Sequence, residues 1–270
     1  MFQSLWLSGS VIVFLSVWLS IGGLWAVRRL ASPQSLREHH DVAGFILAIV
    51  GVIYAVLLAF VVIVVWEQFE DAKSDAAREA NALTDIYRMS EGFPPPAKAQ
   101  VRKEIRTYAK AVVEKEWNTM DSGQPEPEAI EAMDNLWITF AHLDSSDTRV
   151  DHLIDSSLQR LNDASDLRRL RLLESHDGLP RFMWVVLILG GMGTMLFTYF
   201  FGLEKFPTQA AMTAILAGLI ALVLVLINAL NYPYSGDIKV QPEAMENLLH
   251  RLPSIEAHEA ERRTSLEANP

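Results

Sequence analysis

Apolar residues are concentrated in four long uncharged blocks, and the rest of the chain is charged and amphipathic. The blocks cover residues 5–27, 42–66, 182–203 and 210–230. A hydrocarbon core of ~30 Å takes ~20 helical residues to cross. Without water, each backbone amide must be satisfied inside its own segment, so the blocks are predicted to be transmembrane helices. The pattern predicts an all-α integral membrane protein with transmembrane hairpins at 1–66 and 182–231.

A cleavable signal peptide is the alternative interpretation of the first block. Such a peptide has a positively charged start and an apolar run of ~7–15 residues. Here Met1–Ser4 carries no positive charge, the apolar run is longer, and Arg28 and Arg29 follow the run instead of preceding it. The sequence therefore favours a retained transmembrane helix.

The segment 67–181 differs from the four blocks in being rich in charged residues. Turn-forming runs at 92–96, 121–127 and 144–148 divide it into stretches predicted to be helical at 67–91, 96–120, 127–143 and 148–177. Asp147 is placed to cap the last of these. The sequence predicts a helical extramembrane domain inserted between the second and third transmembrane helices. A tail, 232–270, with two weakly helical stretches follows the fourth.

The second transmembrane helix is predicted to run on into the domain without a break. No glycine or proline lies between Gly51 and Gly92. The result would be one helix of roughly 48 residues, ~70 Å long at a rise of 1.5 Å per residue.

The second block has a patterned surface on two opposite sides. Small residues recur along one side at Gly44, Ala48, Gly51, Ala55 and Ala59. Such a seam permits close packing of helices in lipid, and it is also compatible with a surface that faces a pore. The opposite side carries Ile53, Leu57 and Phe60. These side chains either contact lipid and neighbouring helices or form an apolar constriction that gates ions by dewetting.

Carboxylates follow the second block directly, at Glu67, Glu70 and Asp71. On a single chain they are an ordinary solvated helix surface. Repeated around a symmetric oligomer, they would form a ring at the mouth of a pore, which raises the local concentration of cations.

Composition and motifs exclude several other functions. The net charge of −10 argues against a nucleic-acid partner, and there is no cysteine to bind a metal. His39 and His40 are the candidate metal ligands, but adjacent residues on a helix point ~100° apart, so the sequence predicts no metal site. No cofactor or enzyme motif is present, and carboxylates such as Glu114 and Glu116 are predicted to lie on a solvated helix face.

The four blocks contain no Asp, Glu, Lys, Arg or His. Proton relays and ion-coupled transporters keep ionisable groups at membrane depth, so the sequence argues against both. The lining of a channel can be wholly apolar, so this absence is compatible with a channel.

Several short motifs along the chain carry a resemblance to a known family. The end of the second block reads Leu57-Leu58-Ala59-Phe60 and is followed by Trp66-Glu67-Gln68-Phe69-Glu70. This pattern resembles the inner end of the pore helix of bestrophin channels. Residues 231–237 resemble the bestrophin segment that follows the last transmembrane helix. Along nearly its full length the chain resembles the bacterial bestrophin-like family. The matching segments are 38–45, 92–94, Glu116-Trp117, 168–172 and 235–237.

This resemblance implies a homopentamer in the inner (plasma) membrane, with the second block lining the pore and the domain and both termini in the cytoplasm. It implies that Ile53, Leu57 and Phe60 form the constriction. After Asp237 the sequence reads Ile238-Lys239-Val240, so the acidic calcium-binding cluster of animal bestrophins is missing.

Two functional hypotheses follow from the sequence. The first is an oligomeric ion channel whose partners are the lipid bilayer and inorganic ions, with cations preferred because of the acidic mouth. The second is a membrane-anchored helical sensor or scaffold without a pore. A ring of five chains favours the channel, and a monomer or dimer favours the scaffold.

Overall fold

The computed structural model describes residues 2–30, 40–120, 125–143, 147–201, 203 and 205–268, and every regular element in those ranges is helical. The helices are α1 (Phe2–Leu30), α2 (His40–Met89), α3 (Pro95–Ala111), α4 (Pro127–Ala141), α5 (Thr148–Glu174), α6 (Arg181–Tyr199), α7 (Phe206–Leu230) and α8 (Glu243–Ala268). A 3-10 turn, Ser90–Gly92, follows α2. A π-helical turn, Val112–Glu116, follows α3 and leads into the helical residues Trp117–Thr119.

The chain divides into two compact units. The first comprises Met1–Phe69, Gly178–Tyr232 and Gly236–Ile238. The second comprises Glu70–Asp177, Pro233–Ser235 and Lys239–Pro270. Most of the tail after the fourth apolar helix belongs to the second unit.

The first unit contains α1, the first part of α2, α6 and α7, and all four helices are long and apolar enough to cross a membrane. This confirms the four apolar helices predicted from the sequence. α1 packs along α7, and α6 contacts both. A buried cluster, made of Val61, Val65, Leu187, Ile227 and Leu230, joins α2, α6 and α7.

The second hairpin has bounds that differ from the apolar block. α6 ends at Tyr199, although the uncharged run extends to Leu203, and α7 begins at Phe206. Pro207 lies in the first turn of α7. Proline has no N–H to donate and is suited to this position, so it starts the helix earlier than hydrophobicity alone predicts.

Helix α2 is continuous over 50 residues, as the absence of internal glycine and proline after Gly51 predicts. It ends at the 3-10 turn, whose last residue is followed by the extended Phe93 and by Pro94. Proline disfavours a helical conformation in the residue before it, which explains why the helix stops there.

The second unit is formed by the last part of α2 together with α3, α4, α5 and α8. α3 packs against α4, and α5 contacts α4. Fully buried apolar side chains form its core, among them Leu83, Ile86, Val101, Ile105, Leu136 and Leu161. Asp147 caps α5 as predicted, because its side chain accepts a 2.9 Å hydrogen bond from the amide of Arg149.

The tail differs from the two weakly helical stretches predicted from its sequence. It forms one helix of 26 residues, α8, which continues through Pro253. Met245, Leu248 and Leu252 are each at most 2% exposed. Their helical spacing buries one apolar face, and that burial stabilises the helix in spite of the proline.

Candidate pore helix and buried charge network

An exposed stripe runs along the membrane part of α2 and continues into its acidic part. Its members recur at alternating steps of four and three, which keeps them on one side of a helix. They are Ile49, Ile53, Val56, Phe60, Ile63, Glu67 and Glu70, and all are exposed in the single chain. Ile53 is 65% exposed and Phe60 is 64% exposed. Two of the three predicted constriction residues thus share an unpartnered face.

Leu57, the third predicted constriction residue, lies elsewhere. It is half-buried and packs against the cluster that joins α2 to α6 and α7. Tyr54 lies on the same packed side, and its hydroxyl donates a 2.9 Å hydrogen bond to the carbonyl of Leu187. A Cβ atom at Gly190 would lie 2.6 Å from the Tyr54 ring, so the glycine leaves the space that the ring fills.

The predicted small-residue seam makes little contact within the chain. Ala48, Ala55 and Ala59 are exposed, and a Cβ atom at Gly51 would meet no atom within 4 Å. A Cβ atom at Gly44 would lie 3.7 Å from the Phe201 ring. The seam is therefore available to a neighbouring molecule along most of its length.

The predicted mouth residues Glu67, Glu70 and Asp71 are all exposed. Of the candidate metal ligands, His39 lies outside the described residues, as does the side chain of His40. Among the residues that the structure does describe, no group of three or more His, Asp or Glu side chains could hold a metal ion.

A network of buried charges lies in the second unit, centred on Arg171 of α5. The guanidinium is fully buried between two fully buried carboxylates, with Nε 2.7 Å from Glu79 Oε2 and Nη2 2.9 Å from Glu116 Oε1. Arg168 is also paired with Glu116, at 2.6 Å. The Tyr108 hydroxyl donates to Glu79. The two arginines balance the two carboxylates, which is the condition for keeping charges away from water.

The position of Glu116 corrects the sequence prediction, which placed it on a solvated face. The prediction assumed regular α-helical geometry through this stretch, but Val112–Glu116 is a π-helical turn. The wider turn changes the side on which the following residues lie. Glu116 and Trp117 therefore both face the core, where Glu116 also accepts a 3.1 Å hydrogen bond from the amide of Glu126.

The buried charge network shifts the pKa values of Glu116 and Tyr108. Burial alone would raise the pKa of Glu116, but the guanidinium of Arg171 and the hydrogen bond from Arg168 hold that pKa below its usual range. Burial, together with the neighbouring Glu79 carboxylate, raises the pKa of Tyr108. Glu116 thus stays ionised and Tyr108 stays a hydrogen-bond donor at neutral pH.

The network is continuous with the turn that follows α7. The Arg171 guanidinium lies 5.1 Å from the ring centroid of Trp117. The indole N–H of Trp117 donates a 3.0 Å hydrogen bond to the carbonyl of Val240, and its ring meets Tyr234 edge to face at 5.7 Å. The Tyr234 hydroxyl donates to the carbonyl of Ala72 in α2, at 2.8 Å. This chain of contacts connects α5, the π-helical turn, the 233–240 turn and α2.

A second charged cluster fixes α8 to α3. Arg102 of α3 lies 2.6 Å from Glu259 of α8 and 3.1 Å from Glu91. Its guanidinium stacks 4.6 Å from the ring centroid of Tyr87, whose hydroxyl donates to Glu256 of α8. Neither cluster was predicted from the sequence. For the first, one signal was that Glu116-Trp117 and 168–172 are among the segments that resemble the bacterial bestrophin-like family.

Comparison with solved structures identifies the fold. A single-substitution variant of a bacterial bestrophin homologue from Klebsiella pneumoniae superposes with a TM-score of 0.59 at 12% identity, covering 89% of this chain and 98% of that chain. A second crystal structure, of a membrane protein with one substitution, gives a TM-score of 0.59 at 12% identity, covering 92% and 98%. No curated protein matches the chain. The likeness to the two structures shows a shared bestrophin fold.

The family is established independently by the sequence match to the bestrophin-like domain, which spans residues 14–245. That match includes most of α1, all of α2 to α7 and the turn after α7. It confirms the resemblance that the short motifs indicated. The chain is a membrane protein that belongs to the bestrophin-like family.

Proposed function

We propose that the protein is an oligomeric ion channel in which α2 lines the pore. The exposed stripe along α2 carries this proposal, because its apolar part continues without a break into Glu67 and Glu70. Copies of such a stripe around a symmetry axis form an apolar neck followed by a ring of carboxylates. A neck of this kind gates ions by dewetting, and the ring concentrates cations at its mouth.

Within the stripe, Ile53 and Phe60 are the proposed constriction residues. Phe60 is the bulkiest side chain of the apolar part, and it is 64% exposed. Leu57 contributes by packing α2 against α6 and α7. The small-residue seam of α2 supports an oligomer, because small residues allow close approach of a second helix in lipid. By family resemblance the oligomer is a pentamer in the inner membrane, with the helical domain and both termini in the cytoplasm.

Cation preference follows from the acidic groups after the neck. Glu67, Glu70 and Asp71 are exposed, and the whole chain has a net charge of −10. A cleft lined by one sign of charge attracts the opposite ion over a range of about 10 Å at 0.1 M salt. The protein is therefore proposed to pass cations more readily than anions.

The test is electrical recording from purified protein reconstituted in planar bilayers. Phe60→Ala should increase the single-channel conductance, since it widens the neck. Leu222→Ala is the matched control, because Leu222 is a similarly exposed apolar residue of α7 and is 57% exposed. Replacing Glu67 and Glu70 by glutamine should move the reversal potential in a salt gradient towards that of a less cation-selective pore. Silent bilayers containing an intact ring of five chains would contradict the channel and favour a scaffold.

A further inference from the structure

Glu174, the last residue of α5, is half-buried, unlike the fully buried Glu79 and Glu116 of the charged core of the second unit. Its Oε2 atom is buried and, among the described residues, has no hydrogen-bond partner. An ionised carboxylate buried without a partner is costly, and a neutral carboxyl is much less so. The location therefore favours the protonated form of this side chain.

The charges that face Glu174 also favour its protonated form. Asp71 and Asp75, both on α2, act on it as like charges. Asp75 is paired with Arg78 at 2.8 Å, but Arg78 is 65% exposed and its charge is well solvated. Tyr234 is also in electrostatic contact with Glu174, and it is neutral at neutral pH.

Burial, with the added repulsion from Asp75 and Asp71, raises the pKa of Glu174 from its ordinary 4.5 to about 7. A carboxyl group with that value changes charge within the physiological range, as histidine ordinarily does. The rise in the pKa agrees with the geometry, because the buried oxygen and the two neighbouring carboxylates all disfavour the anion.

We propose that Glu174 is a proton-binding site that joins the end of α5 to the Asp71–Asp75 stretch of α2, and that loss of its proton loosens this junction. When the carboxyl O–H bond breaks, the proton passes to solvent and a third negative charge remains beside Asp71 and Asp75. Asp71 is also one of the proposed mouth residues. Coupling of this site to ion flow therefore rests on the proposed channel function, but proton binding itself does not.

Proton binding is tested by thermal unfolding of the full-length protein in detergent between pH 5 and pH 8. The folded state holds this proton more tightly than the unfolded chain does, so stability falls as pH rises from about 4.5 to about 7 and then levels off. Glu174→Gln mimics the neutral carboxyl. Its Tm should lie near the wild-type value at pH 5 and exceed it by about 2–4 °C at pH 8.

Two further variants test whether the pH dependence of Tm arises from Glu174 and its acidic neighbours. Asp155→Asn removes an exposed carboxylate from the same helix and should leave the pH dependence of Tm unchanged. Asp75→Asn removes one of the two repelling charges and should move the midpoint of the wild-type transition to lower pH. A difference in Tm between Glu174→Gln and wild type that stays constant from pH 5 to pH 8 would overturn the proposal.

The regulatory part is tested by cation currents at the same pH values. Wild-type current should change between pH 6 and pH 8 with a midpoint near pH 7, and Glu174→Gln should lose this response. If the currents of the two proteins respond identically to pH, the coupling is wrong. If no variant conducts but the Tm difference appears as expected, the proton site stands and the channel function fails.

Discussion

Arg171 Nε and Glu79 Oε2 lie 2.7 Å apart, and neither side chain is accessible to solvent. A buried ion pair adds little compared with apolar residues of the same shape, but removing one partner leaves an uncompensated charge. Arg171→Met would leave both Glu79 and Glu116 without their shared partner. We expect the free energy of unfolding to fall by about 3–5 kcal/mol, measured by chemical denaturation in detergent.

Arg169→Met is the control for this prediction. Arg169 lies two residues before Arg171 in α5, is 73% exposed and is paired with Asp166. Its replacement should change the free energy of unfolding by no more than about 0.5 kcal/mol. Equal losses in the two variants would contradict the structural role assigned to Arg171.

Glu116 gives the protein a sensitivity to acid that is separate from the proton site at Glu174. Because the folded state holds the pKa of Glu116 below its ordinary 4.5, ionised Glu116 stabilises the fold above that pH. The stabilisation is lost as pH falls through the lowered value. We expect the Tm of the wild type to decrease steeply below pH 4.5 and to approach that of Glu116→Gln, whose own Tm should depend less on pH in this range.

Tyr54 packs closely on Gly190, so a single methyl group added at position 190 should lower the stability of the fold. A Cβ atom at Gly190 would lie 2.6 Å from Tyr54 Cδ2, so the ring must move and its hydrogen bond to Leu187 is lost. Overpacking of this kind costs about 1–3 kcal/mol, so Gly190→Ala should lower the Tm. Gly193→Ala, at a position where a Cβ atom meets nothing within 4 Å, should not.

The same contact can be tested by a double-mutant cycle. Tyr54→Ala removes the ring that a Cβ atom at Gly190 would strike, so Gly190→Ala should cost much less in that background. Additive effects of the two substitutions would show that the glycine is needed for some other reason.

Asp147 should contribute measurably to the stability of α5. Its side chain accepts a hydrogen bond from the Arg149 amide, one of the free amides of the first turn. Asp147→Ala should cost about 0.5–2 kcal/mol, whereas Asp147→Asn, which keeps an acceptor, should cost less. Circular dichroism during thermal unfolding would distinguish the two variants.

Much of the helical architecture could be predicted because hydrophobicity and helix breakers determine it locally. The uncharged runs define the four apolar helices, and the lack of glycine and proline after Gly51 makes α2 a single helix. The ends of α6 and α7 were less predictable. There, Pro207 and the turn at Phe200, whose amide bonds to the carbonyl of Phe197, take precedence over hydrophobicity.

The buried charges could not be predicted in the same way, because their burial depends on contacts distant in sequence. Arg171 lies on the stripe of α5 that also buries Ile154, Leu161 and Leu167. Its place on that apolar face was the available signal, but an arginine there ordinarily indicates the edge of a core. For the pore stripe the difficulty is different. An apolar residue exposed in one chain can face lipid, a pore or a second copy, and the sequence pattern is the same for all three.

The π-helical turn at Val112–Glu116 implies that the winding of this segment matters as much as the identity of its residues. An α-helix advances ~100° per residue, and a π-helical turn advances less, so regular α-helical winding over the same residues would rotate everything after them relative to α3. Glu116 would then leave Arg171, and Trp117 would leave the carbonyl of Val240. We therefore expect Val113 to tolerate apolar substitutions that keep the π-helical turn. The turn accommodates one extra residue, and the placement of a carboxylate and an indole depends on it.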